Sequence, residues 1–394
     1  AYEGARDAVL EFAGAGRPDF VAVFTRNATS AINLLAARLP IPAGSVVLTT
    51  RMEHHSNDLP WRRVASVEHI DVLPDGRVDE EMLRERLRAL TGRVAVLAVS
   101  GASNVTGVVN PVHRWAVWAH EAGARIVVDG AQLAPHRPMS VGDRSDPSHL
   151  DAIAFSAHKM YAPFGAGALV VAADLLPDAA PFESGGGTIE TVDVSSVTWA
   201  PAPDRDEAGT PPVMGAVALH AAIETYRSIG WAGLLDHEAA LTRYALHRLA
   251  TVPGLEVYGP ALDSGADRLG VIAFNLRGVP HALAGAVLSA EWGIGVRTGC
   301  FCAHPYMKRL LRLDHAAVAG YEARIAAGDR SDVPGAVRAS LGVQTTVADV
   351  DRLVTALGAI AEGRRRTDYV FDARHGSWHL HEEARWVADR LPVH

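Results

Sequence analysis

Cysteine is nearly absent from this 394-residue chain: there are two, Cys300 and Cys302, one residue apart. A pair that close cannot staple a fold, because a disulfide across it would close a tiny, strained loop. Such scarcity fits a reducing compartment, and a cytoplasmic location is the expectation. Long apolar runs are missing too. None approaches the ~20 residues that a membrane-spanning helix needs, so no membrane partner is expected. The opening stretch, AYEGARDAVLEF, has no basic segment followed by an apolar one and does not read as a secretory signal. Positive charge is also in short supply. Against 45 Asp and Glu stand 37 Lys and Arg, a net −8, which argues against a nucleic-acid partner. The brief basic run GRRRT (363–367) reads as a solvated helix end. What remains is 48% hydrophobic and 21% charged, the make-up of an ordinary globular protein long enough for two domains.

The first two-thirds alternate between apolar strands and helices. FVAVFT (20–25), SVVLTT (45–50), VAVLAVS (94–100), RIVVDGA (125–131), LDAIAFS (150–156) and GALVVAA (167–173) are short apolar runs that mostly end in small or polar residues. Between them lie helical patterns, among them TSAINLLAARL, with Thr29 or Ser30 as N-cap, and VHRWAVWAHEAG (112–123), with a Gly stop. Near-continuous apolar strands separated by helices argue for an α/β fold with a mostly parallel sheet covered on both faces. A Gly-, Pro- and acid-rich stretch covers 180–212, and a long helix follows from near Pro211. From about 236 the pattern becomes helix, strand (269–276), helix, short strand, helix, which reads as a smaller α+β domain. The expected division is a large domain over 1–235 and a small one over 236–394.

In sheets of this kind ligands bind beyond the C-terminal ends of the strands. Asn104, Asp129, Gln132, Ser156, His158 and Lys159 all sit at or just after strand ends. Lys159, in DAIAFSAHKM, is either a lysine turned to water or a nucleophilic amine that holds a carbonyl cofactor as a Schiff base. A pyridoxal phosphate site needs such a lysine and a carboxylate beside the pyridine nitrogen. It also needs amides and hydroxyls for the phosphate at a helix N-terminus, and a flat group over the ring. Asp129 ends a buried strand, where a carboxylate is costly unless a cation pairs with it. Gln132 follows and could bond the ring oxygen. Ala28 and Thr29 open a helix after a strand. Ser156 and His158 flank the lysine, and His54 or His55 could stack. Each signal alone has a structural explanation, as a turn residue, a polar loop or a packed histidine; their common placement at strand ends favours the cofactor site.

The stretches RNATSAINL, MEHHSNDLPWR, SNVTG, VVDGAQ, FSAHKMYAPFGAGAL, EAGTPP, RTGCFCAHP and VRASLG occur in this order. Together they resemble class V fold-type I pyridoxal phosphate (PLP) enzymes, above all the group II cysteine desulfurase and selenocysteine lyase branch. The resemblance covers nearly the whole chain. It implies that Lys159 is the Schiff-base lysine, that Asp129 pairs with the pyridine nitrogen, Gln132 with the ring oxygen, and that His54 stacks on the ring. It implies phosphate binding by Ala28, Thr29, Ser156 and His158, with Thr210 reaching the phosphate of a partner subunit in a homodimer with shared active sites. Asn104 and Arg338 would hold the substrate carboxylate, and Arg297 would assist or order the loop. Cys302 would take sulfur, or selenium, from an amino acid as a persulfide, leaving alanine and passing the sulfur on to an acceptor protein. Arg297 or His304 would bear on its thiolate form.

The chain departs from that pattern in three places. It begins inside what resembles the helix before the first large-domain strand, where the family normally has several dozen further residues. The segment 303–337, between Cys302 and Arg338, is long and helical in pattern; it either reshapes the entrance or is a surface insertion. VQTT (343–346) stands where the family has Tyr-Asn-Thr. Other readings stay open at this point. Cys300, Cys302 and His304 could together bind a metal, but no fourth ligand cluster is evident, and no metal is expected. Cys300 reads as a small buried hydrophobe. A class V aminotransferase, epimerase or eliminating lyase would leave Cys302 without a catalytic role, and a non-catalytic binding protein would leave Lys159 without one.

Overall fold

The structure is a computed structural model that describes residues 1–381. The chain forms two compact units. The first comprises Ala1–Asp71, Val78–Ser103 and Val109–Leu235; the second takes Val72–Arg77, Asn104–Val108 and the chain from Asp236 onward.

Seven strands build the sheet of the first unit: β1 (Phe20–Thr25), β2 (Val46–Thr50), β3 (Ser66–Ile70), β4 (Val94–Ser100), β5 (Arg125–Asp129), β6 (Ala152–Ser156) and β7 (Gly167–Ala172). Their order is β1-β7-β6-β5-β4-β2-β3. Only β7 runs against its neighbours. Strands β6 and β7 are buried at every position, as expected of strands covered on both faces. The parallel strands β2, β4, β5 and β6 end in Thr50, Ser100, Asp129 and Ser156, so one edge of the sheet gathers hydroxyls and a carboxylate. Helices α1 (Tyr2–Phe12), α2 (Ala28–Arg38), α3 (Glu80–Ala89), α4 (Val112–Glu121) and α5 (Val213–Ile229) belong to this unit. Helix α2 starts two or three residues earlier than the expected caps imply. Its N-cap is Asn27, whose side chain accepts from Ser30 N–H, and not Thr29 or Ser30. Asn27 is extended and takes the cap, which leaves the Thr29 hydroxyl outside it. The Gly- and Pro-rich stretch contains a small hairpin, β8 (Ile189–Val192) and β9 (Val197–Trp199).

Helix α6 (Trp231–Leu249) carries the chain into the second unit. That unit holds an antiparallel sheet of β10 (Leu255–Tyr258), β11 (Val271–Leu276), β12 (Arg297–Gly299) and β13 (Ala336–Ser340), in the order β10-β11-β13-β12. Its core joins α6, α7 (His281–Trp292) and α10 (Val347–Ala361) to this sheet through Leu249, Phe274, Val287 and Leu357. The long 303–337 segment supplies α8 (His304–Leu310) and α9 (His315–Ala326), and α9 has no buried residue. VQTT ends in Thr346, the N-cap of α10. Its hydroxyl and the Asp349 side chain form a reciprocal capping box, a structural use for the final threonine of that motif. A last hairpin, β14 (Tyr369–Asp372) and β15 (Ser377–Leu380), follows α10.

Candidate active site

In the first unit the strand ends and the start of α2 come together. Ser156 Oγ accepts from Ala28 N–H at 2.9 Å, which ties the end of β6 to the first turn of α2. Gly167, at the start of β7, lies against Asn27; a Cβ there would sit 2.5 Å from Asn27 Cα, so only glycine permits this approach. The Thr29 and Ser56 hydroxyls are 2.7 Å apart. Ser56 N–H donates to His54 Nδ1 at 3.1 Å, and Ser56 Oγ lies 3.0 Å from the same nitrogen. Ser56 therefore links His54 to the helix start, a connection that the sequence pattern did not reveal. Asp129 is 6% exposed, and one of its carboxylate oxygens accepts from Ala131 N–H at 2.9 Å. Burial pushes this carboxyl above the ordinary range, while the charge of Lys159 works in the opposite direction. Burial, followed by the charge of Lys159, lowers the pKa of His158. Gln132 Nε2 is 3.3 Å from His136 Nε2. Thr29 and Thr210 line one cavity of about 470 Å³.

The Glu of MEHHSN is a second buried carboxyl at this edge. Glu53 is 3% exposed and accepts from Thr50 Oγ1 (2.7 Å), Asn57 Nδ2 (2.8 Å) and Ser100 Oγ (2.6 Å). Among the described residues these partners are neutral, and burial raises the carboxyl from 4.5 to about 7. Its effect on stability has a definite sign. The unfolded chain releases this proton near pH 4.5 and the folded chain near 7, so stability falls as pH rises across that window. Glu53→Gln, which cannot ionise, is expected to melt close to wild type at pH 5 and several degrees above it at pH 8. Thermal melts of the two proteins at both pH values check this.

In the second unit Arg297 and Arg338 occupy directly paired positions on β12 and β13. Like charges opposed across strands destabilise the pair unless an anion joins them. Burial first, then the Arg297 charge, lowers the Arg338 guanidinium to about 10; Cys302 works the other way. Arg338 Nη1 donates to Asn104 O at 2.7 Å, Asn104 Nδ2 donates to Phe301 O at 2.8 Å, and the Arg338 guanidinium lies 5.3 Å from the Phe301 ring centroid. Arg338 Nε is buried with no hydrogen-bond partner among the described residues. Phe301 and Cys302 both have φ near +55°, a left-handed conformation that costs non-glycine residues energy and that the Phe301 contacts sustain. Cys302 is half-buried on this strained turn. Cys300 differs: its Sγ donates to Pro334 O at 3.0 Å, and burial pushes its thiol up to about 11, so it stays protonated. That disposition argues against Cys300 as a metal-binding thiolate.

One further cluster joins His120, His149 and Asp151 in the first unit. The Asp151 oxygens already accept from Ile126 N–H (2.8 Å) and Arg144 (3.1 Å) and face His120 Nε2 (2.9 Å) and Arg125 (3.5 Å). Resident guanidiniums hold the place a metal cation would take. A simpler sequence signal also escaped the motif reading. Among 37 Lys and Arg there are two lysines, Lys159 and Lys308. Lys308 pairs with Glu322 at 2.8 Å. A chain that otherwise uses arginine keeps lysine at 159, and only lysine can release a proton to become a nucleophilic amine.

The aminotransferase class-V family model matches residues 1–353. The chain belongs to the aminotransferase class-V family. Among its relatives, a probable cysteine desulfurase of Streptomyces coelicolor is 38% identical over 90% of this chain and 80% of that one. The cysteine desulfurase of Escherichia coli is 39% identical over 86% and 77%, and that of Haloferax volcanii 37% identical over 92% and 79%. The crystal structure of the cysteine desulfurase CsdA from Escherichia coli aligns with a TM-score of 0.76 at 32% identity, covering 92% of this chain and 84% of that one. The apo cysteine desulfurase of Thermococcus onnurineus aligns with a TM-score of 0.78 at 30% identity over the same shares. The class-V fold is the fold-type I α/β architecture of PLP enzymes, and PLP is the family's cofactor. The first unit of this class-V protein suits that group. Asp129 is a buried carboxyl that burial raises despite the charge of Lys159, a place where a protonated pyridine would fit, and the α2 N-terminus with Thr29 and Ser156 could offer donors to a phosphate.

Proposed function

We propose that this class-V enzyme is a cysteine desulfurase that draws sulfur from L-cysteine onto Cys302. The observation that carries this reading is Cys302 itself, half-buried on a strained turn next to Phe301, whose ring and carbonyl engage Arg338 and Asn104. Relatives at 37–39% identity bearing the name cysteine desulfurase support it.

In this reading Lys159 holds PLP, which when bound supplies a sink for electrons released at the substrate Cα. Asp129 would pair with the pyridine nitrogen, Gln132 with the ring oxygen, and His54 would stack on the ring. Ala28, Thr29, Ser156 and His158 bind the phosphate. Arg338, with Asn104 and Arg297, takes the substrate carboxylate; an anion there relieves the repulsion between the two paired guanidiniums. The Lys159 amine accepts the proton from Cα. The Cys302 thiolate attacks the substrate sulfur: the new S–S bond forms, the C–S bond breaks, and its electron pair stays with carbon. Reprotonation of carbon gives alanine. The Cys302 persulfide then passes its sulfur to an acceptor protein, or a reductant frees it as sulfide. Two copies of the chain share active sites, with Thr210 reaching the partner's phosphate. Tyr161, Phe164 and Met214, each more than half exposed, support an apolar contact between copies.

Product analysis with L-cysteine, PLP and a thiol reductant tests the reaction. Alanine and sulfide in equal amounts are expected. Pyruvate in place of alanine would overturn desulfuration and assign an eliminating lyase.

A further inference from the structure

We propose that Glu53 is a positioning residue: by binding Thr50, Asn57 and Ser100 together, its carboxylate fixes the His54–Asn57 turn against the cofactor. The inference rests on the reading that His54 lies on the ring.

The turn is a single short helical turn, His55–Asn57, whose main-chain support includes Asn57 N–H to His54 O at 2.8 Å. Glu53 immediately precedes it. One carboxylate oxygen takes the hydroxyl of Thr50 from the end of β2. The other takes Asn57, the last residue of the turn, and Ser100 from the end of β4. Thr50 Oγ1 accepts from Met52 N–H at 3.1 Å and donates its own proton to Glu53. Asn57 Oδ1 accepts from Trp61 Nε1 at 3.3 Å, so its NH₂ faces Glu53. Glu53 thus receives three side-chain donors. His54 lies between the two anchored residues, Glu53 and Asn57. Its ring nitrogen accepts from Ser56, which reaches Thr29 at the start of α2. The place of the imidazole and of both hydroxyls thus depends on a carboxyl one residue away. Ser100 also pairs in register with Asp129, so the same clamp is anchored beside the carboxylate proposed for the pyridine nitrogen.

The test uses apoprotein titrated with pyridoxal 5′-phosphate. It reads the dissociation constant, the visible circular dichroism of the bound cofactor, and the melting midpoint without cofactor. Glu53→Ala and Asn57→Ala are expected to raise the dissociation constant about tenfold and to shrink the dichroic band. Glu53→Gln should restore both to within about twofold: its amide oxygen serves Asn57 and Ser100, and the Thr50 hydroxyl, which has a second lone pair beside the one used by Met52 N–H, turns to accept from its NH₂. Should Glu53→Ala fail to fold, Asn57→Ala and Glu53→Gln carry the test. His54→Ala is the control. If it loses the band while Asn57→Ala and Glu53→Ala keep the wild-type band and affinity, Glu53 is a structural residue and the inference falls. If His54→Ala leaves the band unchanged, the assignment of His54 falls, and this inference with it.

Discussion

Cys302→Ala is expected to lose alanine and sulfide formation by about 10³-fold or more while keeping the visible absorbance of bound PLP. Its half-buried thiol sits on a strained left-handed turn held through Phe301 by Asn104 and Arg338. The residues proposed to hold the cofactor lie in the first unit and Cys302 in the second, so the cofactor spectrum should survive its loss. The neighbouring thiol is the internal control. Cys300 stays protonated and donates to Pro334 O, a bond that a serine hydroxyl reproduces. Cys300→Ser should therefore form sulfide within about twofold of wild type. Parallel assays of alanine, sulfide and pyruvate on the three proteins give the answer. Full activity in Cys302→Ala would remove the persulfide from the mechanism.

Lys159→Ala is expected to abolish turnover, by about 10⁴-fold, and to lose the absorbance band of the lysine-bound cofactor. The lysine follows β6 directly, half-buried, and shares an electrostatic environment with Asp129 and His158. The Ala substitution removes the amine proposed both to hold the cofactor and to move the Cα proton. The donors proposed for the phosphate at α2 belong to other residues, so PLP should still bind, more weakly and without the covalent spectrum. Absorbance spectra before and after gel filtration, with a turnover assay, check both parts. An unchanged spectrum would rule out Lys159 as the attachment point.

Much of the proposed site was legible because strand ends are a local signal. Apolar runs that stop at Ser100, Asp129 and Ser156 announce a sheet edge, and Lys159 follows one of them within three residues. The N-cap of α2 was misjudged by two or three residues, since Asn27, Thr29 and Ser30 all suit a cap and only backbone geometry separates them. Ser56 and Glu53 went unassigned for a different reason. Ser56 is two residues from His54, but its link to Thr29 requires α2 to lie beside the turn. Glu53 meets Ser100 only because β2 and β4 are adjacent in the sheet though far apart in sequence.

The sequence by itself determined the alternation of strands and helices, the residues at the strand ends and the family, and it singled out the amine and the thiol proposed to react. These follow from local patterns of apolar and polar residues and from motifs read in order. Only the tertiary structure decided that Arg297 faces Arg338, that Arg338 and Asn104 engage Phe301 beside Cys302, and that Glu53 joins three donors from two strands and a turn. Such contacts depend on strand order and register, which hydrogen-bonded ladders fix between segments distant in the chain; no local pattern encodes them.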